Sequence, residues 1–366
     1  MGFDSDYEDD VEEEEEFVPK RARQQEKKPD LEAELPTSRK LPLIEKYRPA
    51  TLDDVVAQDD IIQTITKLMD KKALPHLLLY GPPGTGKTST ILALARKLFG
   101  TNQLSSMVLE LNASDSRGID DVRDSIVTFA STRKIFSSGM KLVILDEADN
   151  MTKDAQFALR RVIEKYTANT RFCLICNYVS KIIPALQSRC TKFRFSPLVP
   201  ELVKSRVFDI CEMEKITLTK DGMEALLRLS KGDMRKVLNL LEASAMQQQQ
   251  ECITVDYALV YQVAGKPTPQ DVDMVLELLM NETSIQQQYY MLHQLQVDKS
   301  LALLDICLEL HDRVVGLELP NDLVKFLLAQ LAELEFRLAT AVDDKIQLHG
   351  LIAVFVLARH KIASGL

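Results

Sequence analysis

The stretch HLLLYGPPGTGKT, residues 76–88, decides the fold of this chain of 366 residues. Its apolar first half predicts a buried strand, and the amphipathic segment at residues 87–99 predicts a helix. The glycine-rich turn between them fits G-x-x-x-x-G-K-T, the P-loop motif, in the strand, loop and helix context that the motif requires. Backbone N–H groups of such a turn favour phosphates, which Lys87 also reaches, and the Thr88 hydroxyl can ligate magnesium. The stretch therefore predicts a nucleotide site.

Short apolar runs alternate with amphipathic segments up to residue 199. The candidate strands are His76–Tyr80 and residues 107–111, 141–145, 171–176 and 191–195. The candidate helices between them are residues 87–99, Ile119–Ser131 and Lys153–Tyr166. This order predicts an α/β P-loop domain, a five-stranded parallel sheet with helices on both faces. After residue 200 only helices are predicted, beginning with residues 201–214, 220–230 and 233–246.

The chain begins with charge blocks and few apolar side chains. Residues 1–16 contain ten acidic and no basic side chains, so the net charge of −9 belongs to this end and the rest is close to neutral. A basic run at residues 19–29 follows, and it is a candidate nuclear import signal or a solvated tail. Residues 1–40 are expected to be disordered, because they cannot bury enough apolar surface to offset the entropy of ordering.

Six cysteines and the hydropathy bear on the compartment. Because no apolar stretch approaches the roughly 18 residues of a membrane span and the start is unlike a signal peptide, we expect no membrane partner and reduced cysteines. Cys173 and Cys176 form a CxxC inside an apolar run, with no second pair at zinc-ligand spacing. They are expected to be buried strand thiols.

Polar residues follow two further strands and point to hydrolysis. Asp146 and Glu147 end the run at 142–145; in a P-loop protein the aspartate holds magnesium and the glutamate can activate the attacking water. Asn177 follows residues 171–176 and can position water or phosphate, although an asparagine that ends a strand is ordinary turn chemistry.

Arg235 can reach the nucleotide from a later helix, or be a solvated arginine. Arg189 directly precedes the last strand, and its spacing alone assigns it no role.

Six boxes in the same order resemble the AAA+ ATPases, and more narrowly the small subunits of the replication factor C clamp loader. The boxes are Glu45-Lys46-Tyr47-Arg48-Pro49, Gly81 to Thr88, Leu111-Asn112-Ala113-Ser114-Asp115, Leu145-Asp146-Glu147-Ala148-Asp149, Ser188-Arg189-Cys190 and Gly232-Asp233-Met234-Arg235. Within the family, residues 129–133 and 171–178 are similar to one small subunit in particular. The intact P-loop argues against the subunit whose ATP site is degenerate.

The resemblance implies an organisation and a set of site residues. It implies a AAA+ core at residues 41–199, a small helical lid domain at 200–265 and an all-helical collar domain for oligomerisation at 266–366. ATP and Mg²⁺ are the implied cofactors, with Thr88 and Asp146 on magnesium, Glu147 as the base and Arg189 completing the adjacent subunit's site. The residues implied around the nucleotide are Ile44, Arg48, Val55, Val56, Gly81, Pro82, Pro83, Gly84, Thr85, Gly86, Lys87, Thr88, Ser89, Asn177 (sensor 1) and Arg235 (sensor 2).

The implied function is that of an ATP-driven subunit in a nuclear heteropentamer with four other clamp-loader subunits. Such a loader opens the sliding clamp, PCNA, and places it on primer-template DNA, for which Arg117 and Arg123 are the candidate contacts. The alternative is a shared small subunit of a variant checkpoint or cohesion loader, or another AAA+ ATPase. Two rivals stand beside it: an RNA helicase, because residues 146–149 spell DEAD, and a scaffold that binds ATP without hydrolysis.

Overall fold

The structure is a computed structural model that describes residues 41–364, apart from 56, 72, 114–118, 133–139, 248–253, 283 and 341–342. The predicted tail at residues 1–40 and its basic run therefore lie outside the described residues, as do Val56 and Arg117. Arg123 belongs to a described helix, but its side chain lies outside what is described.

A five-stranded, all-parallel sheet forms the first half, as predicted. The strands are β1 (His76–Tyr80), β2 (Val108–Asn112), β3 (Lys141–Asp146), β4 (Thr170–Cys176) and β5 (Cys190–Arg194). Their order across the sheet is β2-β3-β4-β1-β5, so β1 lies between β4 and β5. Cys173 and Cys176 on β4 are buried free thiols, which confirms their expected role. Because β3, β4 and β1 are neighbours, the segments that follow them meet at one edge.

Helices surround this sheet and make up most of the second half. They are α1 (Leu43–Lys46), α2 (Asp59–Asp70), α3 (Lys87–Met107), α4 (Ile119–Ser131), α5 (Lys153–Tyr166), α6 (Pro184–Gln187), α7 (Pro200–Glu214), α8 (Lys220–Ser230), α9 (Met234–Gln247), α10 (Tyr257–Ala264), α11 (Pro269–Asn281), α12 (Ile285–Lys299), α13 (Leu303–Val315), α14 (Asn321–Thr340) and α15 (Asp344–Ser364). Gly100 interrupts α3 with a φ of 66°, close to the predicted end at residue 99. The sequence missed the two-residue strands β6 (Thr217–Leu218) and β7 (Thr254–Val255), which are too short to show a period.

Successive side chains of a strand point to opposite faces of the sheet, and a hydrophobic core lies on each face. On β1, Leu78 packs with the α4 and α5 side chains Ile126 and Leu159. Its neighbours Leu77 and Leu79 pack on the other face with residues of α2 and α3. The three central strands β1, β3 and β4 are buried almost throughout and read as largely apolar runs, which is why the sequence located them, whereas β5 is mostly exposed.

Two further hydrophobic clusters lie in the helical half. One joins residues of α7 to α10 and also includes Leu43 of α1. The other joins residues of α11 to α15. The domain boundaries at residues 199/200 and 265/266 stay predictions, but Leu43 packs with the cluster of α7 to α10 rather than with the sheet.

The last helix, α15, is long and apolar enough to cross a membrane by length and composition alone. Its side chains Leu351, Phe355 and Ala358 are fully buried in the cluster of α11 to α15. These three side chains pack as in a core helix, whereas Ile346, Leu357 and Ile362 of the same helix are 49% to 65% exposed.

Three basic side chains lie at the amino edge of the sheet, where the strands begin. Lys141 is 6% exposed, and its Nζ donates to the carbonyls of Phe129 (2.6 Å) and Thr132 near the end of α4. Arg171 donates to the carbonyl of Thr167, at the end of α5. His76 Nδ1 accepts from the N–H of Phe172 at 3.1 Å. Burial, and then the charge of Arg171, lowers the pKa of His76 to about 4.

Candidate nucleotide site

The P-loop follows β1 and begins α3, as predicted. Gly81 has a φ of 143°, and a Cβ there would lie 2.2 Å from the Phe195 carbonyl oxygen of the strand alongside. Gly84 has a φ of 69°, and a Cβ there would lie 1.7 Å from Oδ1 of Asp233, just before α9. Both positions require glycine, for the turn and for the close approach of neighbouring groups. The loop is thus packed between the sheet and the start of α9.

Lys87, the first residue of α3, is 7% exposed. Its Nζ donates to the Gly81 and Pro82 carbonyls, at 2.8 Å each, and to Oδ1 of Asn177 at 3.0 Å. Burial lowers the pKa of Lys87, whereas the carboxylate of Asp146 opposes the shift. The ammonium therefore lies between the P-loop and the amide that follows β4, as sequence spacing predicted for phosphate-contacting groups.

Two oxygen donors meet beside Lys87. The Thr88 hydroxyl donates to Oδ2 of Asp146 at 2.7 Å, and Oδ1 of Asp146 accepts from the N–H of Glu147 at 2.8 Å. A hydroxyl and a carboxylate are ligands that suit Mg²⁺, a hard cation. The donor set fits the magnesium site implied by the sequence.

Glu147 follows β3 in a left-handed conformation, with a φ of 53°. Its Oε2 accepts from Nδ2 of Asn150 at 3.1 Å, so a neighbouring amide holds the carboxylate. A non-glycine residue with positive φ is uncommon and draws attention to the position. The turn places Glu147 on the wall of the same cavity as Asp146.

Asn177 is held by a residue that sequence reasoning did not assign to the site. Oδ2 of Asp149 accepts from the N–H groups of Asn177 and Tyr178, at 3.2 Å each, and Asp149 is 9% exposed. Asp149 is the last letter of the DEAD motif, and the sequence predicts no separate role for it. Its contact spans 28 residues, so no local pattern could have found it.

These groups open on one cavity of about 430 Å³. The predicted residues on its wall are Ile44, Arg48, Val55, Pro83, Gly84, Thr85, Gly86, Lys87, Thr88, Ser89, Asp146, Glu147, Asn177 and Arg235. Gly81 and Pro82 contribute through the carbonyls that accept from Lys87. The wall also includes residues that the sequence did not assign to the nucleotide, which are Glu45, Tyr47, Pro49, Asp54, Leu198, Arg206, Met234 and Leu238. Arg206, Met234 and Leu238 come from α7 and α9, far away in sequence, and of these three only Met234 lies in a motif.

The segment around α1, which lines the cavity, is fastened to the helical half. Tyr47 donates its hydroxyl to Oε1 of Glu214 at 2.6 Å, and Lys46 pairs with the same oxygen. The N–H of Leu43 donates to Oε2 of Glu242 on α9 at 3.1 Å. The segment at residues 43–47 is therefore held by carboxylates of α7 and α9.

Arg189 is not on the cavity wall. It lies just before β5, with its side chain 33% exposed. Its Nη1 donates to the Ala185 carbonyl at 2.7 Å, and its Nη2 pairs with Glu164 of α5. This placement, outside its own chain's site, agrees with a role at a neighbour's site.

Comparisons with known proteins agree with this geometry. A family model described as the ATPase family associated with various cellular activities (AAA) matches residues 77–198, and the replication factor C C-terminal domain matches residues 267–354. Among solved structures, a variant of RuvB from Thermotoga maritima has a TM-score of 0.50 at 14% identity, covering 75% of this chain and 99% of that chain. That likeness shows a shared fold.

Relatives extend the match along almost the whole chain. Replication factor C subunit 5 of Homo sapiens is 52% identical over 326 residues, which cover 89% of this chain and 94% of the relative. Replication factor C subunit 3 of Saccharomyces cerevisiae is 49% identical over 311 residues, which cover 84% and 90%. These names confirm the small subunit to which residues 129–133 and 171–178 point, numbered five in animals and three in yeast, and they displace the helicase rival. The chain belongs to the replication factor C small subunits, and it is an AAA ATPase.

Proposed function

We propose that this chain is an ATP-driven subunit of the nuclear heteropentameric clamp loader, which opens the sliding clamp, PCNA, and loads it on primer-template DNA in replication and repair. The observation that carries the proposal is the joining of a P-loop nucleotide site, with Asp146 and Glu147 on its wall, to a C-terminal region of replication factor C type. Thr88 and Asp146 lie 2.7 Å apart beside Lys87 and Asn177, on the wall of one cavity. The C-terminal match supports assembly into a multi-subunit loader.

In the proposed reaction, the chain's own residues bind and orient ATP. P-loop N–H groups, Lys87 and Arg235 hold the phosphates, while Ile44, Val55 and Leu238 enclose the rest of the nucleotide. Thr88 and Asp146 would hold Mg²⁺, which would neutralise charge on the phosphates. Closure of apolar walls around the site excludes water and strengthens these charge interactions.

Glu147 accepts a proton from the attacking water, and Asn177 orients that water or the terminal phosphate. The αL turn directs Glu147 from the end of β3, and Asp149 fixes the backbone of Asn177. General base catalysis contributes about 10²–10⁴-fold to such reactions. Arg189 completes the site of the adjacent subunit, and Arg117 and Arg123 contact the DNA backbone.

The test is steady-state ATP hydrolysis by the five co-expressed subunits, with and without clamp and primer-template DNA. We expect both ligands to stimulate turnover. Glu147→Gln in this subunit removes one site's base, so hydrolysis at that site is expected to fall about 100-fold while nucleotide binding persists. Arg189→Ala is expected to lower turnover at the neighbour's site instead.

A matched control is Glu212→Gln, which neutralises an exposed carboxylate on α7. It should leave turnover and assembly unchanged. Turnover that neither clamp nor DNA stimulates would contradict the loader function. ATP hydrolysis that Glu147→Gln leaves unchanged, with ATP still bound, would favour the scaffold rival.

A further inference from the structure

The Arg189 side chain is held at two points by its own chain. Its Nη2 contacts Oε1 of Glu164 at 2.5 Å, and its Nη1 donates to the Ala185 carbonyl at 2.7 Å. Glu164 lies in the last turns of α5 and Ala185 lies in α6, so two separate elements fix the guanidinium. The contact with Glu164 spans 25 residues and has no counterpart in the motifs of the sequence.

The same carboxylate oxygen has a second partner. Oε1 of Glu164 also accepts from Nε of Arg160, one turn earlier on α5, at 3.1 Å. Hydrogen bonds from Arg160 and then Arg189 keep the pKa of Glu164 below its usual value, against the effect of desolvation. Glu164 is therefore an anion that bridges two arginines.

The contact does little for the fold itself. All three side chains are between 33% and 42% exposed, and exposed ion pairs typically contribute only about 0–1 kcal/mol to stability. The packing of α5 depends instead on buried residues such as Leu159 and Ile163. A contribution to stability therefore does not explain the presence of Glu164 at this position. A role in positioning Arg189 is worth testing.

Geometry supplies that reason. A guanidinium has five N–H donors in one plane, and Glu164 and Ala185 engage only the two terminal nitrogens. The donor at Nε and one at each terminal nitrogen are left for a planar, bidentate contact with phosphate. A free arginine would lose about 2 kcal/mol of rotamer entropy on being ordered, and prior anchoring reduces that cost.

We propose that Glu164 is the positioning residue of Arg189: it orients the guanidinium so that its remaining donors meet the terminal phosphate held by the adjacent subunit. The inference rests on the proposed role of Arg189 in trans. Arg160 shares the carboxylate without contacting Arg189, so its removal leaves the orienting contact in place.

The experiment uses the assembled five-subunit complex with clamp and primer-template DNA. Glu164→Ala is expected to lower kcat about 3- to 10-fold, without a change in KM for ATP or in nucleotide binding by this chain, because only the order of a transition-state contact is lost. Glu164→Gln keeps an acceptor oxygen for Nη2 and should recover part of the loss. Arg160→Ala is the matched control and should stay within about 2-fold of the unmodified complex.

A double variant separates positioning from a general structural effect. Glu164→Ala should have no further effect in an Arg189→Ala background, because residues that act as a unit are not additive. If Arg189→Ala lowers kcat while Glu164→Ala does not, the positioning role is wrong and the role of Arg189 stands. A rise in kcat with Glu164→Ala would mean that the carboxylate restrains the arginine, which also overturns the proposal. If Arg189→Ala itself leaves kcat unchanged, the role in trans fails, and this inference fails with it.

Discussion

The two edges of the central sheet each bury a lysine, and the two lysines do different things. Lys87 at the carboxyl edge is 7% exposed and Lys141 at the amino edge is 6% exposed. Lys141 donates to carbonyls near the end of α4 and lies 4.8 Å from the centre of the Phe129 ring. Lys87 donates to the P-loop and to Asn177, beside a cavity of about 430 Å³. Burial of a charge therefore does not by itself mark a functional site.

The direction of the chain explains the difference. In a parallel sheet, the carboxyl edge leads into helix N-termini, whose free N–H groups favour anions. The amino edge receives helix C-termini, whose free carbonyls favour cations such as Lys141 after α4 and Arg171 after α5. Cations at the amino edge thus bind the free carbonyls of helix C-termini, whereas those at the carboxyl edge face an anion site. What marks function is the convergence of polar groups from several strands on one cavity.

Replacement of each lysine by alanine should show the largest difference between the two edges, in ATP affinity and in stability. Lys87→Ala is expected to weaken ATP binding about 100- to 1,000-fold, since truncation of one partner of a buried charged contact costs roughly 2–5 kcal/mol. The melting temperature should change little, because the ammonium is itself desolvated. Lys141→Ala is the matched variant, and it should lower the free energy of unfolding by about 1–3 kcal/mol while ATP affinity per folded molecule persists. Nucleotide titration and thermal unfolding of the full chain measure both.

The comparison breaks if the two variants behave alike. Equal losses of ATP affinity would mean that Lys141, at the start of β3, affects the nucleotide site at the other end of that strand. Equal losses of stability would mean that Lys87 contributes as much to the fold as Lys141 does.

The second prediction concerns pH and the amino edge. The pKa of His76 is about 4 in the folded chain and near 6.5 when exposed, so the unfolded state binds the proton more readily. Stability from the neutral ring is then fully present above pH 6.5 and is lost as the pH falls towards 4, by about 3 kcal/mol in all. Denaturant unfolding of the full chain between pH 7.5 and 4.5 measures the slope.

His76→Gln provides the control, because an amide cannot titrate. This variant should be less stable at pH 7.5 but should show a shallower fall with acid. If its slope equals that of the original chain, other groups carry the pH dependence and His76 does not.

The carboxyl edge was also the more predictable one. The P-loop is contiguous, and Asp146 and Asn177 directly follow apolar strands, so local pattern located all of them. The central strands of the sheet followed from their apolar runs, and the bounds of α4, α5 and α8 agree with their predicted ranges.

The sequence did not predict the roles of several other residues, because those roles depend on contacts that form only on folding. Glu214 meets Tyr47 across 167 residues, and Glu164 meets Arg189 across 25. An isolated glutamate on a helix is typical of a solvated face, so no spacing distinguishes these two from the rest. Arg206 reaches the cavity wall by the packing of α7, which sequence periodicity assigned only to a helix.

The prediction with the smallest expected effect concerns Asp149, which shares features with the groups at both edges of the sheet. Asp149 lies at the carboxyl edge but, like the amino-edge groups, it binds backbone: its carboxylate accepts from the N–H groups of Asn177 and Tyr178. Asp149→Asn keeps one acceptor oxygen but loses the charge, so the free energy of unfolding should fall by about 1–2 kcal/mol. Because the backbone of Asn177 then loosens, kcat of the assembled complex should fall about 10-fold with little change in KM for ATP. Asn150→Ala, which frees Glu147 without touching Asn177, is the comparison variant. Loss of stability with unchanged kcat would place Asp149 with the amino-edge caps, and would show that Asn177 is positioned by its contact with Lys87 instead.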